Sequence, residues 1–129
     1  MDDQKKFNIL LAEDDPINQA LALAILKQQG WSVVVVDNGQ EAVTAMEKNS
    51  FDLVLMDVQM PVLDGYEAVA AIRKREEESG LHTPIIAMTA HAMDGAREKC
   101  ISKGMDGYLA KPVDIQNLLD LIGRFRNEQ

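Results

Sequence analysis

One feature narrows the possible folds more than any other: short, nearly continuous apolar runs alternate with longer stretches whose apolar residues return at helical spacing. That rhythm belongs to parallel strands joined by crossover helices, because strands covered on both faces need no polar alternation. Strands are expected at Asn8–Ala12, Ser32–Val36, Leu53–Met56, Ile85–Met88 and Tyr108–Ala110. The second contains an unbroken β-branched run from Val33 to Val36, which suits a pleated surface.

The intervening stretches carry helix signals. Asp15 is a natural N-cap with Pro16 at the first helical position, and Ile17, Ala20, Leu21, Ala24 and Ile25 share one face before Gly30 ends the helix. Asn38 with Glu41, and Asp64 with Glu67, resemble capping boxes that open the second and third helices. The fourth is expected over Asp94–Lys103, turning Ala96 and Cys100 inward and closing at Gly104. The fifth starts near Asp114 and aligns Ile115, Leu118, Leu119 and Ile122. Glu76 to Gly80 reads as a solvated helix end and turn, and His82 as an exposed loop residue.

With 129 residues, 47% of them apolar, the chain is expected to form one domain, 1–129, around one core. Acidic residues outnumber basic ones 21 to 13, and a net charge of −8 repels a phosphate backbone, so direct nucleic-acid binding is not expected. Cys100 is the single cysteine, which rules out an intramolecular disulfide and a CxxC centre and suits a reducing cytoplasm. Met1 to Lys6 lacks the apolar core of a signal peptide, and no apolar run approaches the ~20 residues that span a bilayer.

Ligands of open parallel sheets bind at the carboxyl ends of the strands. The residues falling there are Glu13, Asp14 and Asp15 after the first strand, Asp57 after the third, Thr89 after the fourth and Lys111 after the fifth. Two carboxylates ~5 Å apart repel by about 3 kcal/mol at an effective dielectric of ~20, so such a group calls for compensation. Lys111 supplies one charge; Mg²⁺, which takes carboxylates together with phosphate and water, balances the rest better than Ca²⁺, for which the chain has no D-x-[DN]-x-[DN]-G loop. Asp57 would then be a carboxylate nucleophile able to form an acyl phosphate, with Thr89 donating a hydrogen bond to it.

The segments LLAEDDPINQ, DLVLMDVQMPVLDG, PIIAMTAHAM and GMDGYLAKPV, in this order and at this spacing, resemble the receiver domains of response regulators, most closely those of hybrid sensor histidine kinases. The resemblance covers essentially the whole chain. It implies a flavodoxin-like, doubly wound (βα)5 fold with strand order 2-1-3-4-5. Asp57 matches the phosphoacceptor and Lys111 the phosphate-contacting lysine, whose bond to Pro112 would be cis. Asp14 would bind Mg²⁺ directly, Glu13 mainly through water, and the backbone carbonyl of Gln59 would complete the protein ligands. Thr89 and Tyr108 match a switch pair. The implied partner is a histidine kinase or a histidine phosphotransfer protein, and the implied output is a change of conformation rather than multiple turnover.

The residues also define the rivals. A single-domain response regulator would carry the same motifs. A nucleotide- or flavin-binding module lacks both GxGxxG and GxxxxGK[ST]. A Mg²⁺-dependent aspartyl-phosphate phosphatase typically has a second aspartate two positions after the nucleophile, where this chain has Gln59. A phosphate-independent interaction domain would bind no metal. His91 either flanks the phosphate or merely begins the fourth helix, and Arg97, Lys99 and Lys103 form either a basic docking strip or a solvated face.

Overall fold

The computed structural model describes residues 7–58, 63–89, 95–111 and 113–127. Strands and helices alternate strictly: β1 (Asn8–Ala12), α1 (Pro16–Gln28), β2 (Ser32–Val36), α2 (Gly39–Lys48), β3 (Leu53–Asp57), α3 (Gly65–Ser79), β4 (Ile85–Thr89), α4 (Ala96–Ser102), β5 (Gly107–Ala110) and α5 (Ile115–Asn127). All neighbours pair in parallel, in the order β2-β1-β3-β4-β5. The expected topology is therefore present. Strands β3 and β4 each run one residue further than expected, so that Asp57 and Thr89 are themselves rungs, opposite Met88 and Ala110.

Alternate residues of each strand enter opposite cores. Leu10, Val54, Met56 and Ala87 pack beneath α2, α3 and α4 together with Ala68, Ile72 and Cys100. Ile9, Leu11, Leu55 and Ile86 pack beneath α1 and α5 with Leu26, Leu118 and Ile122. Strand β2 departs from the expectation of burial on both faces: it is an edge, and Val34 is 41% exposed.

Two helix faces also differ from expectation. In α1, Ile17 and Leu21 are exposed, as are Ala20 and Ala24, while Leu26 is fully buried with Ala22 and Ile25 packed beside it. The helix is apolar nearly all round, so its spacing allows more than one inward face, and the sheet selects the one bearing Leu26. In α5 the buried stripe is Leu118 and Ile122 with Leu121 and Phe125 beside them, and Ile115 lies outside it, half exposed.

The caps follow the sequence more closely. Asp64 and Glu67 form a complete capping box at α3. Asn38 accepts from the Glu41 amide at 2.8 Å, but the Glu41 carboxylate turns to the Asp37 amide, leaving that box half formed. Asp15 accepts from the Ile17 amide at 2.9 Å, and Asp114 from that of Asn117 at 3.0 Å. Helix α4 opens at Gly95 with no side-chain cap, and Gly104 follows it at φ 107°.

Glu76 is not solvated but drawn into an ion-pair network, which His82, exposed in its loop as expected, joins. Arg73 reaches from α3 to the carboxylates of Glu76 and Asp106, each at 2.6 Å, and to the carbonyls of Thr83 and Gly104, each at 2.9 Å. Asp106 also accepts from the Ile85 amide at 2.8 Å and meets His82 Nε2 at 2.6 Å. This network ties α3 to the starts of β4 and β5. Gln59, Met60, His91, Met93, Asp94 and Pro112 lie outside the described residues. No helix among the described residues is long and apolar enough to cross a membrane.

Candidate functional site

The site is assembled where β1, β3, β4 and β5 end. Glu13 directly follows β1, held by its amide to the Val36 carbonyl at 3.1 Å, and is only 2% exposed. Asp14 is exposed. The third acidic residue, Asp15, has its carboxylate on the first turn of α1, which separates its capping work from the other two. Across the edge, Asp57 ends β3 and is 4% exposed. One carboxylate oxygen from each of Glu13, Asp14 and Asp57 lies within 4.8 Å of the others.

Lys111 is the cation facing this group. Its amide donates to the Thr89 carbonyl at 2.8 Å, fixing the end of β5 to the end of β4. Its ammonium bridges Glu13 Oε1 at 2.7 Å and Asp57 Oδ2 at 2.8 Å. Burial lowers the lysine's affinity for its proton, but the bonds to Asp57 and Glu13 outweigh it and hold the pKa above the ordinary value. Burial pushes the Glu13 carboxyl up, the Lys111 bond pulls the other way, and the net shift is upward. Among the described residues one ammonium thus faces three carboxylates, and their negative charge is only partly compensated. Three oxygen donors so close suit a hard divalent cation.

Thr89 is 5% exposed at the last rung of β4. Tyr108 pairs with Ala87, two residues before Thr89, which places both side chains on the same face of the sheet. Two supporting residues were not singled out by sequence. Gln19 donates from Nε2 to the Glu13 carbonyl and to Asp37 Oδ1, pinning the β1–α1 loop; its only sequence signal was its place within LLAEDDPINQ. Gly65 packs so closely on β3 that a Cβ would come within 2.4 Å of the Asp57 carbonyl oxygen. Its signal was the Asp-Gly pair that closes DLVLMDVQMPVLDG. A groove of about 770 Å³ between α2 and α3 lies at the opposite end of the sheet and includes none of the site residues.

The response regulator receiver domain family matches residues 9–123, across every strand and most of α5. The chain belongs to the response regulator receiver domains. This receiver domain is 43% identical over 88% of its length to the sensor protein GacS of Pseudomonas syringae, of which it spans 13%. It is 40% identical over 88% of its length to hybrid signal transduction histidine kinase I of Dictyostelium discoideum, of which it spans 7%. Among solved structures, the receiver domain of a Pseudomonas aeruginosa sensor histidine kinase, with magnesium coordinated in its active-site cleft, superposes with a TM-score of 0.84. It is 42% identical and the match covers 94% of this chain and 98% of that one. A Saccharomyces cerevisiae receiver domain co-crystallised with the phosphotransfer protein Ypd1 gives 0.88 at 34% identity, covering 93% of this chain and 88% of that one. The expected family and fold both hold.

Proposed function

We propose that this receiver domain accepts a phosphoryl group from a phosphohistidine onto Asp57, in a reaction that depends on Mg²⁺. The observation that carries the reading is the group of three carboxylates that one lysine only partly neutralises. Glu13, Asp14 and Asp57 would hold the ion, and Gln59 keeps the carbonyl role that the resemblance gives it. When bound, Mg²⁺ neutralises oxygens of the group in transfer.

An Asp57 carboxylate oxygen attacks phosphorus while the phosphorus–nitrogen bond to the donor imidazole breaks; the leaving imidazole takes a proton from solvent. Lys111 offers its ammonium to the oxygens that gain charge, and Glu13 holds it in place. Thr89 donates its hydroxyl to the bound phosphoryl group, and Tyr108, on the same face, adjusts with it. The donor is a histidine kinase or a histidine phosphotransfer protein. Ile17 and Leu21, exposed on α1 just beyond Asp14 and Asp15, give it an apolar landing face.

Curated relatives such as these are much longer: the chain spans 7% of the Dictyostelium discoideum kinase and 16% of histidine kinase 5 of Arabidopsis thaliana. We assign residues 1–129 to one receiver unit, in the cytoplasm, within a hybrid histidine kinase; a single-domain response regulator is the alternative. Incubation with acetyl phosphate and Mg²⁺, followed by intact-mass measurement, tests the chemistry. One added phosphoryl group, not formed when a chelator is present from the start and absent from Asp57→Asn, is the expected result. An unchanged mass, or equal labelling of the variant, would overturn it.

A further inference from the structure

We propose that Gln19 and Asp37 position the Glu13–Asp14 turn for Mg²⁺, so that the affinity of the acidic group for the ion is set from the end of β2. The inference rests on the Mg²⁺ reading of that group and adds two residues that do not themselves touch the ion.

The three carboxylates are not held alike. Glu13 has both side-chain oxygens engaged, Oε1 with Lys111 at 2.7 Å and Oε2 with the Asp15 amide at 3.1 Å. Asp57 is a rung of β3 and pairs with Lys111 at 2.8 Å. Asp14 is exposed, and its carboxylate makes no hydrogen bond or ion pair among the described residues. Its place within 4.8 Å of the other two therefore depends on the backbone that carries it.

That backbone is clamped from α1. The Glu13 carbonyl belongs to the planar peptide unit that joins Glu13 to Asp14, so a bond to it fixes the direction in which Asp14 leaves the turn. Gln19, half-buried on α1, supplies this bond from Nε2 at 2.5 Å, and the same nitrogen donates its second hydrogen to Asp37 Oδ1 at 2.6 Å. The Glu13 amide donates to the Val36 carbonyl at 3.1 Å, so both polar groups of the Glu13 backbone are tied to the end of β2. Asp37 is held in turn, its amide donating to the Glu41 carboxylate at 2.8 Å. This is the bond that leaves the α2 capping box half formed. A capping interaction of α2 has been given up, and a chain of contacts from Glu41 through Asp37 and Gln19 ends on the peptide that aims Asp14. Partners that hold metal ligands in place typically account for about 10- to 100-fold in metal affinity.

Mg²⁺ alone is titrated into the wild type and its variants and followed by backbone amide NMR, whose metal-free spectra also report folding. Gln19→Leu should raise the dissociation constant about tenfold. Gln19→Glu separates positioning from charge. It adds a negative charge near the cation, which by attraction alone would tighten binding, but it puts oxygens where the Glu13 carbonyl and Asp37 need donors, so binding should weaken. Asp37→Ala should weaken it as well, and Asp37→Asn, which keeps an oxygen for Gln19, should restore most of the affinity. In metal-free buffer, hydrogen exchange at the Glu13 and Asp15 amides should quicken in Gln19→Leu while that of Ile85 stays as it was. Unchanged affinity in Gln19→Leu, or tighter binding in Gln19→Glu, would overturn the positioning role and leave the Mg²⁺ site standing. Equal quickening at Ile85 would overturn it too, by showing that the substitution loosens the whole domain. A wild type that binds no Mg²⁺ would overturn the site and this role together.

Discussion

The two ends of the sheet each carry a cluster of charged side chains, and the clusters are built to different rules. At the amino end, Arg73 meets Glu76 and Asp106 at 2.6 Å, and backbone amides or His82 take up further carboxylate oxygens. Each charge there has a close partner, as groups removed from water require. At the carboxyl end, Glu13, Asp14 and Asp57 crowd within 4.8 Å, and among the described residues one lysine pairs with Glu13 and Asp57. One end ties the chain together, and the other leaves charge that the proposed cation and phosphoryl group would use. Removing a carboxylate should therefore have opposite consequences at the two ends.

The largest effect should come from Asp57→Asn, which removes the proposed nucleophile: phosphoryl incorporation from acetyl phosphate should fall to background. Asp106→Asn should leave that incorporation in place. It should instead lower unfolding free energy in urea by about 3 kcal/mol, because Arg73 loses one of its two charged partners in a poorly solvated site. If Asp106→Asn abolished labelling without loss of stability, the division between the two ends would fail.

Gly65→Ala should come next, at about 2 kcal/mol or more, since its Cβ would meet backbone at 2.4 Å rather than a side chain that can move aside. Labelling of Asp57 should fall with it, because the Asp57 backbone is what must shift. The smallest effect has the most informative sign. Asp14→Asn should raise stability in metal-free buffer by about 0.5 kcal/mol through relief of like-charge repulsion, visible as a higher Tm, while weakening Mg²⁺ binding. A lower Tm would mean that Asp14 already contributes to the metal-free fold.

This contrast also explains what the sequence made legible. The carboxyl end could be found because Glu13, Asp57, Thr89 and Lys111 each stop a strand, and in a parallel sheet all strands stop on one edge. The amino end stayed hidden because Arg73 lies inside α3 and Asp106 precedes β5, 33 positions apart with no local pattern joining them. Helix α1 shows the limit of periodicity: with apolar residues on every side, only the packing of Leu26 against the sheet decides that Ile17 and Leu21 face outward. Strand β2 shows a similar limit, since a run of valines suits an edge as well as a centre. Trp31 immediately precedes β2 and packs against Phe7, at the amino end, so its fluorescence is a poor reporter of the site.

The most direct test of the reserve of charge is a Mg²⁺ titration followed by backbone amide NMR. The expected result is saturable shifts at Ala12 to Asp15, Asp57, Val58 and Lys111, with Arg73, Glu76 and Asp106 unmoved and the response lost in Asp57→Asn. Shifts of equal size at both ends of the sheet, or none at the Asp57 end, would contradict the account.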